Sequence, residues 1–220
     1  LDRTEIFRLF DELQRQTEAA FQEVKQEIDA ELREKYRISD EKLKPWHYTD
    51  PFFQEAPPVA GTDLTPFLQD NSLEKLTADT FSALGMEIKD LLAKSDLYER
   101  PGKNQHAFCI DMDRHGDVRV LCNLKKNQYW METMLHEFGH AVYDKYIDRR
   151  LPFLLRAYAH IFTTEAVAMF FGRMVRNREW LEHFIGFDTS QLEEWMPSVE
   201  RMSRRKMLVM ARWIITFVKF

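Results

Sequence analysis

Cysteine is nearly absent from this chain of 220 residues, which has only Cys109 and Cys122. Two thiols cannot build a disulfide scaffold, and such sparing use fits a reducing compartment, so a cytoplasmic location is expected. No repeat or low-complexity tract occurs. Blocks of one charge sign are missing too. The formal net charge is −5 and the charges are mixed, leaving no basic stripe for nucleic acid. No apolar run reaches the roughly 20 residues a membrane span needs. The nearest candidate, Met207–Phe220, is interrupted by Arg212 and Lys219 and reads as a buried helix. No signal peptide opens the chain, since residues 1–36 are charged throughout. The first residue is Leu1, not Met, which a removed leader would also produce.

What is present describes a soluble globular protein of one domain or a large part of one: 45% apolar and 30% charged residues. Ile6, Phe10, Leu13, Phe21, Val24, Ile28 and Leu32 recur at three- and four-residue steps, predicting one amphipathic helix over 4–36. It is expected to pack within the chain or cover a peptide channel, with a dimer seam as the alternative. Ser39 is placed to cap a short helix that Pro45 limits. Residues 46–63 form a proline- and aromatic-rich loop, with Trp46, His47 and Tyr48 expected on the core. Residues 72–84 predict a helix stopped by Gly85, and 86–99 another. Then 107–113 and 117–123 read as short strands joined at His115-Gly116, a two-residue hairpin signal. Counting outward from that turn sets Cys109 opposite Cys122, as neighbouring buried thiols. Residues 127–148 return to helix, and Pro152 can open another. Thr163 or Thr164 caps a helix running to about Arg178, and 189–220 add at least one more. The expected fold is mostly α with one small β-hairpin.

The chemistry concentrates in His136-Glu137-Phe138-Gly139-His140. Histidines four apart on a helix project from one face and can grip one ion, with Glu137 one step round to manage a water. Zinc lowers the pKa of such a water to about 7, and a carboxylate then takes its proton during attack on a carbonyl. Met131, Met134, Leu135, Phe138, Ala141 and Val142 fall on the opposite side, so the helix buries one face and reserves the other. A catalytic zinc takes a third protein ligand and leaves a position for water. Glu165 in Thr163-Thr164-Glu165-Ala166-Val167-Ala168-Met169 is the best candidate, with His160 as its rival. Apolar neighbours make an unpaired carboxylate costly there, and Ala166, Ala168 and Gly172 would let its helix approach another closely.

At these residues the sequence resembles the gluzincin zinc peptidases. It is most similar to the angiotensin-converting-enzyme-like peptidyl-dipeptidases, with the thimet oligopeptidase and oligoendopeptidase group as relatives. The resemblance runs from about Phe81 to Gly172. It takes in Phe81-Ser82-Ala83-Leu84-Gly85, His106-Ala107, Gly116-Asp117-Val118-Arg119-Val120, the histidine motif and Glu165-Ala166. It implies His136, His140 and Glu165 as zinc ligands and Glu137 as general base. It also implies His106 as donor to a substrate carbonyl and Ala107 on an edge strand that pairs with the substrate, a general mode of peptide recognition. Two departures stand out. Family members often carry an Asp four residues after the glutamate ligand, orienting a histidine; here that residue is Met169, and Asp144 is the possible substitute or else a solvated side chain. Their oxyanion-stabilising tyrosine and histidine come from well downstream of the glutamate, and no matching segment occurs here.

The expectation is therefore a gluzincin-type helical metallopeptidase domain over 1–220, with 1–80 as a helical cover and 81–220 carrying the zinc site. Its oxyanion donors, worth about 2.7–4 kcal/mol each, are expected beyond Phe220, so the piece would be incomplete as an enzyme. The expected activity is zinc-dependent hydrolysis of short peptides, of peptidyl-dipeptidase or oligopeptidase type. The alternative is a non-enzymatic helical binding protein with a structural or vestigial zinc site, in which Glu137 has no purpose. The expected partner is a peptide, not nucleic acid or membrane.

Overall fold

Helical periodicity dominates the sequence, and the computed structural model of the chain is mostly α-helical with one two-stranded sheet. It describes residues 2–39, 42–48, 50 and 52–220; the short helix expected after Ser39 falls partly outside them. In chain order the helices are α1 (Arg3–Tyr36), α2 (Thr65–Leu68), α3 (Leu73–Ala83), α4 (Lys89–Lys94), α5 (Gln128–Lys145), α6 (Ile161–Gly172), α7 (Arg178–Trp180) and α8 (Thr189–Lys219). Strands β1 (Phe108–Asp111) and β2 (Val118–Leu121) precede α5. Among the described residues no helix is long and apolar enough to cross a membrane. The chain divides into two compact units: Leu1–Thr62 with Trp195–Phe220, and Asp63–Glu194. The partition expected from sequence fell at residue 80 instead.

In the first unit the Asp2 carboxylate caps α1 by accepting from the Thr4 N–H, and α1 ends at Arg37 in a left-handed conformation. Of the predicted stripe, Val24, Ile28 and Leu32 are buried while Leu13 is exposed. Residues 195–219 of α8 run antiparallel to α1, with Lys219 paired to Asp11, Arg212 to Glu18, Arg204 to Glu23 and Arg201 to Glu31. Arg205 is fully buried between Glu27 and Glu31. The apolar end of α8 is only partly covered: Ile215 is buried, whereas Met207 and Phe217 are exposed. In the loop, Tyr48 reaches the helix, accepting from Lys25 Nζ at 2.9 Å and donating to Asp29 at 2.6 Å. Trp46 does not pack as expected; it is 74% exposed. A cavity of about 610 Å³, walled by Phe21, Tyr48, Phe53, Trp213 and Phe217, lies in this unit and contains none of the predicted site residues.

In the second unit Ser72 caps α3 through the Lys75 N–H, and Gly85, at φ 73°, follows its end as expected. The helix expected over 86–99 shrinks to α4, because the chain beyond it turns into a partner for β2. Asp96 donates to Val120 O and accepts from the Cys122 N–H, both at 2.9 Å, and Ser95 Oγ accepts from the Val120 N–H.

The hairpin forms, but not around a two-residue loop. Its pairs are Phe108 with Leu121, Cys109 with Val120, Ile110 with Arg119 and Asp111 with Val118, and Met112 N–H still reaches Asp117 O at 3.0 Å. The loop is residues 113–116. Asp113 Oδ1 accepts from the His115 and Asp117 N–H groups, Asp111 Oδ1 accepts from the Arg114 N–H, and Arg114 takes φ 55°. These aspartate turns outcompete a tight turn at His115-Gly116. The register moves by two residues from the count, which keeps every side chain on its predicted face. Cys109 thus lies opposite Val120, diagonal to Cys122, and both thiols are free. Burial pushes both thiols up, Cys122 to about 12, so they stay protonated and unreactive at neutral pH. β1 pairs with β2 alone among the described residues.

Candidate metal centre

α5 starts where sequence predicts, with Asn127 Oδ1 accepting from the Trp130 N–H at 2.9 Å. Its rear face is the core of this unit: Met131, Met134, Leu135, Phe138 and Ala141 are completely buried and Val142 nearly so. That burial fixes the rotation of the helix and turns His136 and His140 toward α6.

Glycines set how closely the two helices meet. A Cβ on Gly139 would stand 2.8 Å from Ala168 Cα, and one on Gly172 would stand 3.3 Å from His136 Cβ. Ala168 and Gly172 serve the close approach expected of α6, whereas Ala166 is exposed and does not. The glycine inside the histidine motif is therefore a packing requirement that its spacing alone does not announce.

Across this contact, Glu165 divides its carboxylate between the rings, with Oε2 at 3.6 Å from His136 Nε2 and Oε1 at 3.6 Å from His140 Nε2. Candidate ligand atoms of His136, His140 and Glu165 all lie within 4.8 Å of one another, the one such grouping found among the described residues. Tetrahedral zinc with bonds of about 2.1 Å wants ligand atoms about 3.4 Å apart, so the donors are nearly in place. Burial is the main influence on both histidines and lowers their pKa, against the opposing pull of Glu165. They are neutral at pH 7, the form that coordinates a metal. Two imidazole nitrogens and one carboxylate are a zinc-type donor set.

Glu137 is buried, and burial, with Glu165 adding repulsion, pushes its pKa up to about 7. A carboxyl poised near the working pH can both take and return a proton. Glu165 itself is not buried as expected; its side chain is 45% exposed, because it stands in the first turns of α6, where Ile161 and Phe162 are exposed as well.

Other expectations are corrected. His160 is not a ligand but the cap of α6, its Nδ1 accepting from the Phe162 N–H at 3.2 Å; the helix thus begins before either threonine. Asp144 does not orient His140. Its carboxyl, pushed up to about 6 chiefly by burial, has Asp111 and Arg149 as its charged neighbours. Met169 is exposed. The group that does contact His140 is Thr164, with Oγ1 at 2.7 Å from Nδ1, a residue read from sequence only as a cap.

His106 and Ala107 directly precede β1, with His106 exposed and Ala107 half-buried. Asn123 holds the approach to them, its Nδ2 donating to Asn104 O at 2.9 Å. Arg149 clamps the hairpin to α5, donating to Asp111 Oδ2 at 3.1 Å and to Asp144 O at 2.7 Å.

The family model for peptidase family M3 matches residues 91–206, a span holding both strands, α5, α6 and the three clustered side chains. No curated protein matches the chain.

Proposed function

The chain belongs to peptidase family M3, and from that premise we propose that it hydrolyses peptide bonds in short peptides, with zinc held by His136, His140 and Glu165. The observation that carries this reading is the convergence of two neutral imidazoles and one carboxylate beside a buried glutamate whose pKa is about 7. When bound, zinc supplies Lewis acidity to a carbonyl oxygen and to a water. The chain supplies the rest. A carboxylate oxygen of Glu137 takes the proton of the attacking water and delivers it to the departing amide nitrogen. β1 takes the substrate backbone as an added strand beginning at Ala107, and His106 donates to a substrate carbonyl. Oligopeptidase action is the broad form of this proposal. Removal of dipeptides, the mode implied by the resemblance to peptidyl-dipeptidases, is its narrower form.

The test is hydrolysis of internally quenched peptides by the full-length protein. Activity is expected to vanish with a chelator and return with zinc. Glu137→Gln should leave zinc bound while kcat falls about 10²- to 10⁴-fold. Activity within a few-fold of wild type in that variant removes Glu137 from its role.

A further inference from the structure

A zinc-binding histidine is only as well placed as the group that holds its other nitrogen. Such groups fix the ring's orientation and tautomer, and their loss weakens metal binding about 10- to 100-fold. The family resemblance anticipates an Asp at the position of Met169, and that residue is 43% exposed. Asp144 has Asp111 and Arg149, not His140, as its charged neighbours. His140 is nevertheless not left unheld.

We propose that Thr164 is the residue that positions His140 for metal, its hydroxyl oxygen accepting from His140 Nδ1. The inference rests on the metal centre proposed above. His140 Nε2 is the nitrogen that faces Glu165, at 3.6 Å. A metal taken there needs the Nε2 lone pair, so the ring proton must sit on Nδ1. Nδ1 lies 2.7 Å from Thr164 Oγ1, a normal hydrogen-bond length. Thr164 is 3% exposed, so little water reaches the hydroxyl to compete. Its backbone is fixed where Ala168 packs on Gly139 one turn later. A β-branched side chain has few rotamers inside a helix, so little freedom remains for the hydroxyl. Thr164 also immediately precedes Glu165. One turn of α6 thus contributes a ligand and the support of another ligand, and both move together.

A neutral hydroxyl replaces a carboxylate in this arrangement, and the consequence is chemical. An Asp beside Nδ1 would favour the charged imidazolium; a threonine hydroxyl does not. It accepts from the Nδ1–H of a neutral imidazole without adding a charge beside the ring.

The test is zinc affinity, measured by competition with a chromogenic chelator at fixed pH on the full-length protein, for wild type, Thr164→Val, Thr164→Ser and His140→Ala. Thr164→Val keeps the shape and removes the acceptor, so zinc Kd should rise about 10- to 100-fold. Thr164→Ser restores the hydroxyl and should bind within about threefold of wild type. A Thr164→Val Kd within threefold of wild type, alongside loss of zinc by His140→Ala, overturns the role of Thr164 and leaves the metal centre standing. Undiminished binding by His140→Ala overturns the metal centre, and this inference with it. Ring-nitrogen NMR of the zinc-loaded wild type needs no variant: it should show His140 protonated on Nδ1 and bound through Nε2. The reverse assignment overturns the proposal even if Thr164→Val fails to fold.

Discussion

Each of the two units is held together internally in its own way. In the first, α1 and residues 195–219 join where Leu208 and Val209 pack on Val24, Ile28 and Leu32, and around that seam through long charged side chains, the Arg201, Arg204 and Lys219 ion pairs among them, most with partly exposed heads. Such pairs contribute about 0–1 kcal/mol each and tolerate sliding. In the second, α5 and α6 meet through Gly139, Ala168 and Gly172, and a carbon added at Gly139 must displace the backbone of Ala168. A metal centre needs its ligands held to about 0.5 Å. Flexible ion pairs cannot give that tolerance, whereas backbone seated against backbone does. The unit with the candidate metal centre is accordingly the one whose site helices are seated backbone against backbone.

The contrast is breakable, most forcefully at Arg205. Arg205→Ala empties this fully buried position and removes a cation that Glu27 and Glu31 share alongside Arg201, and should cost about 3 kcal/mol. Hydrogen exchange should locate the loss in α1 and the end of α8, with zinc affinity unchanged. A parallel loss of zinc would show that the metal centre depends on the first unit.

The second unit has a different weakness, the buried carboxyl of Asp144. Its folded pKa of about 6 lies above the ordinary value of 3.8, so the folded state holds the proton more tightly than the unfolded chain. Stability should therefore be undiminished below about pH 4, decline between about pH 4 and 6, and stay lower by about 2–3 kcal/mol above that. Asp144→Asn should flatten this window and be the more stable protein at pH 7. Chemical denaturation across pH checks it; an unchanged slope in the variant assigns the slope to another group.

Gly139→Ala tests the close contact itself. Overpacking there should cost about 1–3 kcal/mol and weaken zinc binding, because α6 carries Glu165. The clash is with the Cα of Ala168, so adding Ala168→Gly should not rescue it. Rescue would mean that side chains, not backbones, set the spacing.

The smallest effect is that of salt. Raising NaCl from 0.05 to 1 M should lower protection in α1 by about 1 kcal/mol and leave α5 and α6 unaffected.

Legibility in the sequence followed the range of the interaction. The start and the two faces of α5 could be read because its buried rear and its histidines lie within one helix, although its end falls at Lys145 and not at Asp148. Glu165 was found across the gap because few carboxylates sit in so apolar a stretch, yet its exposure was misjudged, since no local pattern reports what covers a helix start. The hairpin was visible, but its register was not. Asp111 and Asp113 turn the loop by side-chain acceptance, a competitor that His115-Gly116 alone does not reveal. α4 was overextended because a strand partner at Asp96 and Leu97 depends on β2, more than twenty residues on. Thr164 was passed over for the same reason: a hydroxyl beside a ligand looks like a cap until the other helix is in place.

The direct contact of α5 with α6 frees the chain between them from any duty of measurement. Residues 146–160 join the last turn of α5 to α6, and the spacing of the ligands does not depend on their number. Doubling a flexible connection adds only about 0.6 kcal/mol of closure entropy. This stretch is therefore where insertions can accumulate, or a reporter be spliced in, while the three donors keep their places.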